Sequence, residues 1–252
     1  MTEVIKVGGA VVEDVEQLAA LLDAFAKLGS PKILVHGGGR SATRLAGQLG
    51  VESHMAGGRR ITEEKMLKIV TMVYGGLVNK NIVAKLQARG VNALGLTGAD
   101  LNLIRAHRRP TTPEGIDFGF VGDVDSADGA RLQQLLDAGI TPVVAPLTHD
   151  GRGLLLNTNA DTIAMAVATA LPEQTSLTFC FDLPGVLRDA KDPSTLIPRL
   201  TEADFRALVA DGTIAGGMIP KLENAFKALR EGVIKVRITS FHDLQGGTVI
   251  TL

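Results

Sequence analysis

Two lysines in this chain stand where a bare cation is costly. Lys6 interrupts the apolar run Val4-Ile5-Lys6-Val7. An unpartnered ammonium inside a buried strand is expensive, so an anion from the protein or from a ligand must accompany it; a lysine snorkelling from an edge strand is the alternative. Lys221 follows Gly216-Gly217-Met218-Ile219-Pro220 and falls in the first turn of a helix, against the helix dipole. That placement fits an anion held at the turn, or else a solvated surface lysine. Two glycine clusters, Gly8-Gly9 after Lys6-Val7 and Gly37-Gly38-Gly39 after His36, close strand-like segments. Without Cβ atoms, such turns let backbone N–H groups approach a charged ligand. Neither cluster is a Walker A loop or a dinucleotide fingerprint. Asn157-Thr158-Asn159-Ala160-Asp161 opens another helix, with Asn159 and Asp161 as caps or as ligands. Cations beside glycine turns at a sheet edge are suited to polyanion chemistry.

The elements that must position these residues alternate between apolar strands and amphipathic helices. Strands are expected at 4–7, 33–35, 93–96, 141–145, 176–181, 235–238 and 248–251. Helices are expected at 15–28, 41–49, 62–90, 130–138, 161–170, 202–210 and 218–231. The order strand, crossover helix, strand implies parallel pairing, hence an α/β fold with a mainly parallel central sheet and helices on both faces. Residues 53–61 read as a hairpin or flap, and 98–124 as small antiparallel strands. Thr62 is the expected N-cap of the long helix. Its internal Gly75-Gly76 pair implies either a kink or, the reading favoured here, close approach of a helix across a dimer interface. Leu171-Pro172 marks a boundary between an N-terminal lobe, 1–171, and a C-terminal lobe, 172–252.

Bulk properties exclude several functions. The 252 residues carry 26 basic and 27 acidic side chains, a net charge of −1. That balance lacks the clustered positive field needed for nucleic acid or an anionic membrane. The single cysteine, Cys180, sits between Phe179 and Phe181 and reads as a small buried hydrophobe. No Cys/His spacing suits a metal, no apolar run suits a bilayer, and the first residues lack a signal peptide's pattern, so a cytoplasmic protein is expected.

Taken in order, the motifs resemble the N-acetylglutamate kinases of the amino-acid kinase family: Lys-x-Gly-Gly at 6–9, His-Gly-Gly-Gly at 36–39, Gly-x-Arg-Ile-Thr at 58–62, Asn-x-Asn-Ala-Asp at 157–161, Asp-x-Pro-Gly-Val-Leu at 182–187 and Gly-Gly-Met-x-x-Lys at 216–221. The resemblance spans essentially the whole chain. It implies a two-lobed αβα sandwich that uses ATP and Mg²⁺ to phosphorylate the γ-carboxylate of N-acetyl-L-glutamate, or N-succinyl-L-glutamate, in arginine biosynthesis. By that resemblance Lys6 and Lys221 are the catalytic cations and Asp161 holds both. Gly8, Gly9, Gly38 and Gly39 cradle phosphates, and Gly38, Gly39, Arg60 and Asn157 bind the acylated amino acid. Asp182, Gly185, Val186, Leu187, Gly217 and Met218 contact the nucleotide, and Mg²⁺ is held by phosphate and water rather than by a protein cage. A carboxylate nucleophile needs no general base at neutral pH, so His36 is expected to pack rather than move a proton.

Three features depart from the commoner pattern. Phe181 replaces a small hydroxyl residue, Gly57-Gly58-Arg59-Arg60 is a variant flap, and the extra N-terminal helix of arginine-inhibited hexamers is missing from the front of the chain. The flap and the surroundings of Tyr74 resemble a subgroup open to N-succinylglutamate. A homodimer insensitive to arginine is therefore expected. Two alternatives stay open: a kinase of the same fold for an aminoadipate derivative, aspartate or UMP, and a non-catalytic ligand-binding regulator.

Overall fold

Eight strands join into one sheet, in the order β12-β14-β13-β11-β1-β2-β8-β5, in a computed structural model that describes residues 1–29, 31–171 and 174–252. Its strands are β1 (Thr2–Val7), β2 (Lys32–His36), β5 (Ala93–Leu96), β8 (Thr141–Val144), β11 (Thr175–Phe181), β12 (Arg199–Thr201), β13 (Lys235–Ser240) and β14 (Thr248–Thr251). All neighbours are parallel except β13 and β14. Central strands are buried on both faces, which is why β1, β2 and β11 carry consecutive apolar residues, Val4-Ile5, Ile33-Leu34-Val35 and Phe179-Cys180-Phe181. The lobe boundary expected at Pro172 lies outside the described residues.

The pleat divides the core. Val4, Ile33, Val35, Leu177, Phe179, Val236 and Ile238 pack with α6 (Gly129–Asp137), α7 (Ala160–Ala170), α8 (Glu202–Ala210) and α9 (Met218–Arg230). Ile5, Val7, Leu34 and Cys180 face the other layer, built from α2 (Val15–Ala26), α3 (Gly39–Gln48), α4 (Glu64–Val70) and α5 (Asn79–Gln87). A short α1 (Gly9–Glu13), unforeseen in the sequence, fills the first crossover. Cys180 is fully buried, as expected, and burial pushes its thiol up to about 12.

A second sheet of four strands, β10-β9-β6-β7, covers one end: β6 (Ile104–Arg108), β7 (Gly122–Ala127), β9 (Leu147–His149) and β10 (Leu155–Asn157). The antiparallel pair β6–β7 matches the expectation for 98–124; β9 and β10 were too short to show a periodicity. The flap is a two-stranded hairpin, β3 (Met55–Ala56) and β4 (Arg59–Arg60), turning at Gly57 and Gly58, both in the left-handed region.

The long helix differs from expectation in two ways. Its N-cap is Glu63, not Thr62. Thr62 is buried instead, its hydroxyl donating to Arg60 O at 3.0 Å and accepting from Asn157 Nδ2 at 2.9 Å. A hydroxyl used in this buried bridge cannot also cap a helix. Between α4 and α5, Thr71–Val78 winds as a π-helix around Gly75 and Gly76. Gly75 and Gly76 lie inside this widened segment, a form of helix frequent at functional sites. Tyr74 and Val78 are brought against Gly38.

Candidate active site

β1, β2 and β11 run parallel and end together, so Gly8, Gly37 and Asp182 emerge at one edge of the sheet. Open α/β sheets take ligands at this edge. Lys6 is central rather than at a sheet edge, and its Nζ lies 2.7 Å from Asp161 Oδ1, so the anion demanded by its burial comes from the protein. Asp161 is free for this because Asn159 caps α7, its Oδ1 accepting from the N–H groups of Asp161 and Thr162. Lys221, half-buried in the first turn of α9, places Nζ 3.8 Å from the centroid of the Phe181 ring, and Lys6 Nζ lies 5.1 Å from that same centroid. The two cations therefore converge on one spot although 215 positions apart in sequence. Burial lowers the pKa of Lys221, and Lys6 lowers it further, while Asp161 and Asp182 oppose them.

Beside this cluster lies a cavity of about 330 Å³ lined by Gly9, Gly38, Gly39, Arg60, Tyr74 and Asn157, among others. A Cβ built on Gly38 would come within 3.1 Å of Tyr74 Cδ1, so this close approach requires glycine. Gly9 abuts the second turn, 3.4 Å from Gly38 N by the same measure, whereas Gly8 faces the Phe181 ring. Arg60 is buried and donates from Nη2 to Gly39 O at 2.8 Å and to Thr43 Oγ1 at 2.9 Å, and from Nη1 to Ser53 Oγ. Through Thr62 the flap is tied to Asn157, and Arg60 and Asn157 line the same cavity.

The residues expected around a nucleotide lie outside this cavity. Asp182 and Gly217 are exposed and Met218 is half-buried at the start of α9. Gly185 has φ 158° and a Cβ there would meet Leu196 Cδ1 at 2.6 Å. Val186 and Leu187 are buried and their backbone is engaged as well, Val186 N donating to Thr248 Oγ1, Val186 O accepting from Ile197 N and Leu187 bridging to Leu196.

Sequence reasoning passed over several cavity residues. Arg40 and Arg59 line it, and the doubled arginine in the flap was the available signal for Arg59. Glu13 accepts from Ser41 N in the first turn of α3, a long-range cap that no local motif announces. Phe181, noted only as a departure, underlies both lysines.

His36 behaves as a packing residue. Asn79 Nδ2 sits 3.1 Å from Nε2 while also donating to Val143 O, which leaves Nδ1–H to donate to Gly37 O at 2.8 Å. Burial lowers its pKa from 6.5 to about 4, opposed by the Gly37 bond and aided by Lys80. The unfolded chain therefore takes up a proton that the native state refuses between those values, and stability is lost as pH falls from about 6.5 to about 4. Linkage makes this about 3 kcal/mol. Urea unfolding at pH 7 and pH 4.5 should show the loss, and His36→Gln should flatten the slope in that window; an unchanged slope in the variant would assign the effect elsewhere.

A twisted, mainly parallel sheet with paired lysines and two glycine turns at its carboxyl edge defines an α/β protein built to hold a polyanion. The amino acid kinase family profile matches residues 1–240, and the chain belongs to that family. It is 59% identical over 238 residues to the acetylglutamate kinase of Bacteroides thetaiotaomicron, covering 94% of this chain and 92% of that one. It is 57% identical over 251 residues to the acetylglutamate kinase of Bacteroides fragilis, covering 98% and 95%. Among solved structures, smu.665 from Streptococcus mutans superposes with a TM-score of 0.83 at 28% identity, covering 99% of this chain and 98% of that one.

Proposed function

We propose that the protein is an ATP-dependent kinase of an N-acylated glutamate, phosphorylating the γ-carboxylate of N-acetyl-L-glutamate or its N-succinyl counterpart as a step toward arginine. The observation that carries this reading is the convergence of Lys6, Lys221 and Asp161 beside the glycine-lined cavity. In the reaction a carboxylate oxygen bonds to the γ-phosphorus as the bond to the bridging β,γ-oxygen breaks, and ADP departs. No proton has to move. Both reactants are anions, so the protein's work is positioning and charge neutralisation. Lys6 and Lys221 would hold the oxygens of the transferring group, with Asp161 aiming Lys6. N–H groups at Gly8, Gly9, Gly38 and Gly39 would cradle phosphate and carboxylate oxygens. Arg60 and Asn157 would fix the amino acid's α-carboxylate and acylamide. The C-terminal segment, with Asp182, Gly217 and Met218 and with Gly185, Val186 and Leu187 packed behind them, would bound the nucleotide.

Mg²⁺ would be carried on the nucleotide, held by its phosphate oxygens and by water. Bound with ATP, Mg²⁺ would shield the phosphate oxygens from the incoming carboxylate. This reading places the reaction in the cytoplasm; among the described residues no helix is long and apolar enough to cross a membrane. It also includes a homodimer, formed through the π-helical face that exposes Met72 and Leu77 and the edge strand that exposes Leu94. Sizing chromatography at twice the chain mass would support it, and a monomer would remove it.

One observation favours the N-succinyl substrate. Arg40, Arg59 and Arg60 line one cavity, and the hydrogen bonds of Arg60 go to neutral oxygens. Arg59 is half-buried with a lowered pKa, from burial first and then from Arg109, and only Asp123 opposes that; Asp123 itself binds Arg109 at 2.7 Å. A surplus guanidinium fits one more carboxylate on the ligand. Coupled ADP release with N-acetylglutamate, N-succinylglutamate, glutamate, aspartate, N-acetylaminoadipate and UMP should respond only to the N-acylglutamates. Arg59→Ala should raise KM for the succinyl compound about tenfold, the size of one exposed charge-assisted contact, and leave the acetyl compound unaltered. Turnover of free aspartate, of N-acetylaminoadipate or of UMP alone would overturn the assignment.

A further inference from the structure

The ring of Phe181 is shared by both cations of the site, with Lys221 Nζ 3.8 Å and Lys6 Nζ 5.1 Å from its centroid. Phe181 ends β11, is buried, and stacks on Phe179 with centroids 6.5 Å apart and planes 4° from parallel. The ring is thus a fixed surface. Two ammonium groups gathered near one ring repel each other, and of the nearby carboxylates Asp161 makes its ion pair with Lys6 while Asp182 lies exposed. What remains for Lys221 at short range is the negative face of an aromatic ring, which attracts a partly desolvated ammonium. An aliphatic side chain of similar bulk would fill the space without that attraction.

Resting on the phosphoryl-transfer reading above, we infer that Phe181 is a positioning residue, whose ring face holds Lys221 beside the Lys6–Asp161 pair before nucleotide arrives. Lys6 is aimed by a carboxylate and Lys221 by a quadrupole, so the pair is pre-arranged without a second buried acid. A second acid would cancel the positive charge that the phosphoryl oxygens need. The aromatic face leaves that charge intact.

Graded fluorination tests this. Replacing Phe181 by 4-fluoro-, 3,5-difluoro- and 3,4,5-trifluorophenylalanine drains negative potential from the ring face with little change in shape, and makes the ring more apolar. Turnover should fall with each step, to about tenfold below the native enzyme with three fluorines, and Phe181→Leu should fall at least as far. KM for the N-acylglutamate should stay constant, since the ring does not line its cavity. A flat series would overturn the inference, because a purely space-filling ring tolerates fluorine. The second readout needs no activity: the Lys221 pKa in ligand-free protein, followed by NMR of ε-¹³C-labelled lysine, should decrease along the series. The charged groups acting on Lys221 are Lys6 on β1, Asp161 on α7 and Asp182 after β11, and fluorination alters none of them. A static Lys221 pKa would overturn the inference even if turnover fell. A moving pKa in a protein with no N-acylglutamate-dependent ADP release would sink the kinase reading and uphold the ring's hold on Lys221.

Discussion

Lys221→Ala should keep the native fold and lose about a hundredfold or more in turnover, the usual scale for removing one preorganised charge from a transition state. The side chain is half-buried on the first turn of α9, and its contact is with the face of Phe181 rather than with a hydrogen-bonded network. Removing it therefore costs little stability. In the proposed reaction its charge would act where the bridging and terminal phosphate oxygens gain negative character, so the loss should fall on kcat more than on KM. Lys6→Ala should match it in turnover and exceed it in instability, because Asp161 is left in a largely buried place without its ion pair. Asp161→Asn should also lower turnover, since Lys6 loses the group that aims it. Steady-state ADP release and circular dichroism on the same samples check all three. Native turnover in Lys221→Ala would end the catalytic assignment.

Arg60→Ala should raise KM for the N-acylglutamate about a hundredfold, on the scale of a buried, charge-assisted contact, with a smaller change in kcat. Arg60 is the junction of the glycine-lined cavity. It ties the flap to the Gly39 carbonyl and to Thr43 on α3, and the carbonyl of the same residue accepts from Thr62, which in turn holds Asn157. In the proposed site truncation would remove the ligand's cation and release the flap from Ser53, Gly39 and Thr43, while the Arg60 carbonyl that holds Thr62 is retained. Arg60→Lys should not rescue it, because one ammonium cannot reach Ser53, Gly39, Thr43 and a ligand carboxylate together. Substrate titrations measured at saturating ATP separate KM from kcat, and an unaltered KM in Arg60→Ala would remove this residue from the substrate site.

Seven of the eight strands of the central sheet and the longer helices that cover it were legible because burial on two faces writes apolar runs and helical periodicity directly into local sequence; the three-residue β12 was too short to show either. Lys6 was legible for the same reason, as a cation that such a run should not contain. What local sequence could not show is long-range. Thr62 looks like a helix cap because Glu63 and Glu64 follow it, yet a contact 95 positions away claims its hydroxyl. Glu13 caps a helix that begins 26 residues later, and the π-helical turn depends on how Tyr74 meets Gly38 rather than on composition. Val186 and Leu187 belonged to a recognisable motif, but motif order says nothing of which way a side chain points, and both are buried.

The register of the first strand bears on how the chain comes off the ribosome. Thr2 lies opposite Thr175, so β1 is made before β11 and must wait for the 173 positions that separate these two residues before one of its two flanking partners exists. Until then its open side, rich in valine and isoleucine, is a template for any other unpaired strand. A nascent chain stalled before residue 175 would carry that hazard, and chaperone occupancy on translating ribosomes should drop once residues 175–181 clear the exit tunnel.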